Sequence, residues 1–165
     1  MSQPISSKTL LTTMNMIYFS LVFVMLFFAA IVFYMNYSES LIVDSDEDFA
    51  QLLRYVLFGL TPVGIAVGYF AFKQQLSSLE PASKLRDKLG RYQTALLIRS
   101  AGLELPGLFG CVAAMLTGEN MFLLFTLVIV VIFILLRPTP FTMTNDLGLS
   151  QTEKSILENP DGEIE

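Results

Sequence analysis

The stretch "LLTTMNMIYFSLVFVMLFFAAIVFYMN" (Leu10 to Asn36) decides the fold, because it contains no charged residue along its whole length. A transmembrane helix needs about 20 consecutive apolar residues, and this run exceeds that length. It is also longer than the roughly 7–15-residue core of a secretory signal peptide, and no small-x-small cleavage motif follows it. We therefore expect it to remain as a membrane anchor.

The rest of the chain repeats this pattern in separate apolar blocks. Of the 165 residues, 53% are hydrophobic and 15% are charged, and the mean hydropathy is +0.60. Such a composition exceeds that of an ordinary globular domain. It predicts an all-α membrane protein with four transmembrane helices in a domain of residues 1–137. The expected spans are about 10–36, 55–72, 93–117 and 121–136.

The charges between the blocks predict an orientation. The connection 73–92 contains half of the ten basic residues of the chain, whereas the connection after the first span is acidic. By the positive-inside rule, we expect this basic loop and both termini to lie in the cytoplasm. Leucines at 79, 85 and 89, with Tyr92, predict a short amphipathic helix on the membrane surface. The residues expected at the cytoplasmic interface are Lys84, Arg86, Lys88, Arg91 and, inside the third span, Arg99.

Residues 138–165 form a polar and acidic tail, which we expect to be cytoplasmic. Ser150 and Glu153 have the spacing of a capping box, which predicts a short helix that the "NPDG" sequence (Asn159 to Gly162) then ends. Such a tail is either a solvated end or a docking segment for a cytosolic partner.

The sequence lacks the residues that several classes of function require. A net charge of -5 without a basic and aromatic cluster argues against nucleic acid as a partner. There is no histidine, and the single cysteine, Cys111, lies in an apolar run. We find no nucleophile–base pair and no metal-ligand set, so we predict no enzyme activity, no cofactor and no metal.

The second span carries a helix-packing motif. Gly64 and Gly68 form a small-xxx-small pair that lets another helix approach closely, and Pro62 is expected to kink the helix.

The third span contains the segment "RSAGLELPGLFG" (Arg99 to Gly110), with a carboxyl group near its middle. Glu104 lies within about two residues of the centre of the span, where a carboxylate must be buried, paired or protonated. Arg99 is five residues away, about 140° round the helix, so an ion pair within the helix is not expected. Four small residues lie within about 80° of Glu104 around the helix, and such a stripe predicts a helix–helix contact. These packing residues are Ser100, Gly107, Cys111 and Ala114.

We expect a neutral carboxyl that hydrogen-bonds hydroxyl groups at the same depth, namely those of Thr61, Thr126 and Ser20. Two interpretations of Glu104 remain. It is either an interhelical polar clamp or a group that binds and releases a proton or small cation. The first makes the protein a non-enzymatic accessory or assembly component that acts through contacts with other subunits or with itself, and the second makes it a transporter.

Two resemblances accompany these interpretations. "GLELPGLFGCVAAML" resembles the ion-carrying helix of the c subunits of rotary ATPases, and this resemblance implies that Glu104 binds protons. The chain has neither the glycine-repeat inner helix nor the polar hairpin loop of that family. Through "YQTALLIRSAGLELPGLFG" and "ILLRPT" it is similar to small four-span inner-membrane proteins of Bacteroidota. That similarity implies the four-span architecture and a location in a bacterial inner membrane, but no mechanism.

Overall fold

The computed structural model describes residues 5–38, 46–79, 84–159 and 162–164. Within these ranges the chain forms six helices and two strands of two residues each. In chain order these elements are β1 (Ile5–Ser6), α1 (Ser7–Tyr37), α2 (Glu47–Ser77), α3 (Leu85–Thr117), α4 (Met121–Leu135), α5 (Pro140–Leu147), α6 (Gln151–Glu158) and β2 (Glu163–Ile164).

Three helices, α1, α2 and α3, are long and apolar enough to cross a membrane. They have 31, 31 and 33 residues, or about 45–50 Å at 1.5 Å per residue, which exceeds the roughly 30 Å hydrocarbon core of a bilayer. Helix α4 has only 15 residues, and it passes the same test only together with α5, across a bend of 76°. The structure therefore shows an all-helical protein with three candidate membrane-spanning helices in its described part.

Helix α3 is the centre of the packing, because it contacts α1, α2 and α4. The buried residues of α1 recur every three or four positions and form one stripe along the helix, as a packed helix requires. Large apolar side chains on the other faces of α1 and α2 are exposed, which suits surfaces that contact lipid. The buried stripe of α1 consists of Met14, Tyr18, Val22, Met25, Ala29 and Val32.

The connection between the second and third long helices is shorter in the structure than the predicted basic loop 73–92. Helix α2 continues to Ser77 and α3 begins at Leu85, so much of 73–92 is helical. The predicted surface helix is the beginning of α3, and its apolar residues Leu85, Leu89 and Tyr92 are buried. They pack in one core cluster with apolar residues of the tail. The apolar face exists, but the protein's own tail covers it instead of lipid.

The tail folds back onto the bundle. Helix α6 begins at the predicted capping box, in which Ser150 and Glu153 bond each other's backbone N–H groups. Strand β2 pairs with β1 in antiparallel fashion, with Ile164 opposite Ile5. The Ser7 hydroxyl donates to the carbonyl oxygen of Ile156 at 2.8 Å. Both terminal segments therefore lie at the end of the bundle where α3 begins.

Candidate functional site

Glu104 lies on the central helix α3, at the border between its buried and exposed faces. The residue is half-buried, whereas the preceding Leu103 is buried and the following Leu105 is 58% exposed. No described residue forms a hydrogen bond or an ion pair with its carboxyl group. Glu104 is thus at the edge of a helix contact, with part of its side chain directed away from the bundle.

The three hydroxyl groups predicted to surround Glu104 bond elsewhere. Ser20 donates to the Met16 carbonyl within α1, and Thr61 donates to the Leu57 carbonyl within α2, each at 2.8 Å. Helix backbone carbonyls four residues back are common partners for such side chains. Neither hydroxyl therefore donates to the carboxyl group of Glu104.

Thr126 of α4 bonds to α3, but one turn beyond the carboxyl group. Its buried hydroxyl donates to the Gly107 carbonyl at 2.8 Å and lies 3.6 Å from the sulfur of Cys111. The hydroxyl of Thr126 therefore connects α4 to the backbone of α3, and not to Glu104.

The predicted stripe of small residues lies where α3 meets α1 and α4. Ser100, Gly107, Cys111 and Ala114 are all buried. A Cβ atom added to Gly107 would lie 2.5 Å from the sulfur of Met25, so a larger residue there requires the Met25 side chain to move. The stripe is occupied by the chain's own helices.

Gly64 and Gly68 of α2 lie against α3 at a very close approach. A Cβ atom on Gly64 would be 2.5 Å from the Gly102 carbonyl oxygen, and one on Gly68 would be 3.0 Å from the Arg99 carbonyl oxygen. Because Pro106 has no N–H group, it leaves that Gly102 carbonyl without its usual helical donor. The free carbonyl faces Gly64.

Arg99 connects three helices at the end where the termini meet. Its Nη2 atom donates to the Leu136 carbonyl at the end of α4 at 2.7 Å, and its guanidinium lies 4.5 Å from the centre of the Phe72 ring of α2. Tyr18 of α1 donates to a second carbonyl there, that of Phe133, at 2.8 Å. A cation at a helix C-terminus satisfies carbonyls that have no helical donor and interacts favourably with the helix dipole. The guanidinium of Arg99 therefore contacts the chain's own helices α2 and α4 in the described structure.

The predicted interface cations differ in their contacts. Lys88 is only 7% exposed, and its ammonium donates to Glu153 of α6 at 2.7 Å. This hydrogen bond holds the pKa of Glu153 below its ordinary value of 4.5, although partial burial opposes the shift. Lys84 and Arg91 are exposed, and Arg86 is half-buried.

Sequence reasoning missed two ion pairs that connect distant segments. The first is Lys88 with Glu153. The second is at the other end of the bundle, where Nη2 of Arg54 in α2 lies 2.8 and 2.9 Å from the two carboxylate oxygens of Glu119 in the turn before α4. The partners are far apart in sequence, so no local spacing could have identified them.

The chain matches no protein-family model, and neither curated proteins nor solved structures provide a match. The class that the fold defines is that of predominantly helical proteins with three candidate membrane-spanning helices in the described part of the chain. Its distinguishing feature is a half-buried carboxyl group on the central helix without a described partner.

Proposed function

We propose that this protein is a multi-pass component of a bacterial inner membrane that acts as an accessory or assembly subunit and catalyses no reaction of its own. Some of its helix surfaces contact the lipid bilayer. Others bind either another membrane subunit or a second copy of the chain. The observation that carries the proposal is the Glu104 carboxyl group, which is half-buried and has no partner among the described side chains.

In this proposal the chain crosses the membrane four times, and both termini lie in the cytoplasm. The pairing of β1 with β2 supports this topology, because a chain that returns to its starting side makes an even number of crossings. Helix α4 would be the fourth, and its 15 residues span about 22 Å, a mismatch that thinning of the bilayer can accommodate. The positive-inside rule assigns the basic end to the cytoplasm.

Energetics favour a partner from outside the chain. Placing a charged acidic side chain at the centre of a membrane helix costs about 2.5–3.5 kcal/mol of insertion free energy. A contact that pairs or buries the carboxyl group removes part of this cost. The chain's own hydroxyl groups near that depth already bond to backbone carbonyls. Leu105, the neighbour of Glu104, is exposed and offers apolar contact area beside the carboxyl group.

Purification from native membranes in a mild detergent tests the proposal. We expect the wild-type protein to migrate in a complex larger than its own 18.4 kDa. The variant Glu104→Gln keeps hydrogen-bonding capacity and should retain the complex, whereas Glu104→Ala should weaken it. Val67→Ala, which shortens an exposed side chain of α2, is the matched control and should have no effect. A wild-type protein recovered only as a monomer would refute the proposal.

A second candidate function is translocation of a proton or small cation through Glu104 in an oligomer. It is favoured by the partial exposure of the same carboxyl group, which leaves it open to protonation and release. In this case Glu104→Gln should abolish flux into vesicles, and a hydrophobic carbodiimide should label Glu104 in a pH-dependent way. Intact flux in Glu104→Gln excludes this candidate.

A further inference from the structure

We infer that the groove between the end of α2 and the facing part of α3 binds the headgroup of an anionic phospholipid. The groove has a volume of about 310 Å³ and is lined by Ala71, Gln74, Gln75 and Ser78 of α2 and by Ile98 of α3. This site lies beyond the proposed subunit contact, because Ile98 and Glu104 are about 120° apart around α3.

The polar groups of the groove suit a phosphate group. The Ser77 and Ser78 hydroxyls donate to the Gln74 and Gln75 carbonyls at 2.9 Å each, so the donors that remain for a phosphate are the side-chain amides of the two glutamines and the guanidinium of Arg91. Arg91 Nη1 approaches Ser78 Oγ at 3.1 Å and brings a guanidinium group to the rim. Guanidinium and amide N–H groups are effective donors to phosphate oxygens.

The segment of sequence from the end of α2 to the beginning of α3 has a net positive charge. Residues 73–91 contain five basic residues and two acidic ones, Glu80 and Asp87. Lys88 is neutralised by Glu153, but Lys73, Lys84 and Arg91 form no ion pair with any carboxylate that the structure describes. Cations immediately beside a membrane helix attract anionic lipids.

The apolar part of the groove favours a lipid over a free phosphate ion. Ala71 and Ile98 lie on the side of the apolar helix segments, while Gln75 and Ser78 lie toward the basic connection. Exposed Val67 and Phe70 precede the groove along α2 and provide an apolar surface for an acyl chain. The polar end of the groove therefore faces the basic connection, where a headgroup would lie, and its apolar end follows α2 in the direction of an acyl chain.

Native mass spectrometry of the detergent-purified protein tests the site. Phosphatidylglycerol and phosphatidylcholine with the same acyl chains are titrated separately, and we expect phosphatidylglycerol to bind more tightly. Arg91→Gln should weaken its binding about fivefold, which corresponds to roughly 1 kcal/mol for one cation near an anionic lipid. Ile98→Phe, which keeps every charge but fills the apolar floor, should weaken it as well.

The matched control is Lys8→Gln, which removes one exposed cation at the same end of the molecule. An equal loss in this control would overturn the proposal, because binding would then depend on overall surface charge. Displacement of the lipid by an equal concentration of inorganic phosphate would also overturn it. Thermal unfolding of each variant establishes that a weaker interaction does not come from a misfolded protein; if Arg91→Gln unfolds, the Ile98→Phe result decides.

Discussion

The close approach of α2 to α3 makes Gly102→Ala the most informative substitution. A Cβ atom at this position would lie 2.6 Å from the Gly64 carbonyl oxygen and 2.9 Å from the Gly68 Cα atom. Both are backbone atoms, so rotation of a side chain cannot relieve the clash. Since ordinary contact begins at 3.4 Å, α2 must withdraw by about 0.8 Å. Overpacking of this kind costs about 1–3 kcal/mol.

The matched control is Gly90→Ala on the same helix. Gly90 is exposed, and nothing lies within 4 Å of a Cβ atom added there. Alanine is favoured over glycine inside a helix by about 1 kcal/mol, so this change should stabilise the protein slightly.

The assay for this pair is thermal unfolding in a mild detergent, followed by the loss of helical circular dichroism. We expect the two alanine variants to shift the unfolding midpoint in opposite directions, downward for Gly102→Ala and upward for Gly90→Ala. Equal upward shifts would show that α2 and α3 are not in contact at Gly102, and the packing described above would be refuted.

Two further predictions concern the end where the termini meet. Arg99→Ala should destabilise the protein by about 1.5–3 kcal/mol, because it removes a charged hydrogen bond to the Leu136 carbonyl; Lys84→Ala, at an exposed position, is the control and should stay within about 0.5 kcal/mol in the same thermal assay. The pairing of Lys88 with Glu153 should make docking of the tail depend on pH. Because the pKa of Glu153 is lowered in the folded state, its stabilisation is present above its ordinary pKa of 4.5 and is lost as pH falls through the lower folded value. Protease cleavage of the tail should therefore accelerate in acid in the wild type and lose that dependence in Glu153→Gln, and equal acid dependence in both would contradict the prediction.

Hydropathy and capping signals predicted much of the secondary structure. The uncharged run from Leu10 to Asn36 lies within α1, and the capping box at Ser150 begins α6. Helix α5 was missed, although Thr139 followed by Pro140 is a recognisable helix start. The start of α3 was misassigned because charged residues end an apolar window without ending a helix.

The sequence predicted less of the candidate site than of the secondary structure. The depth of Glu104 and the small residues on its face follow from helical periodicity. Which hydroxyl groups reach it depends on how each helix is rotated about its axis, and local spacing does not encode that rotation. Ser20 and Thr61 illustrate the difficulty, because a serine or threonine in an apolar helix can bond to its own backbone as easily as to a neighbour.

In the proposed function, the Glu104 carboxyl group contacts a group outside its own chain. The most direct measurement is photo-cross-linking in native membranes from a reactive side chain placed at Leu105, with the same group at Val67 as the control. We expect an adduct at Leu105 with another polypeptide, heavier than the 18.4 kDa chain by the mass of the partner or of a second copy. Adducts with lipid alone at Leu105, as at Val67, would contradict it.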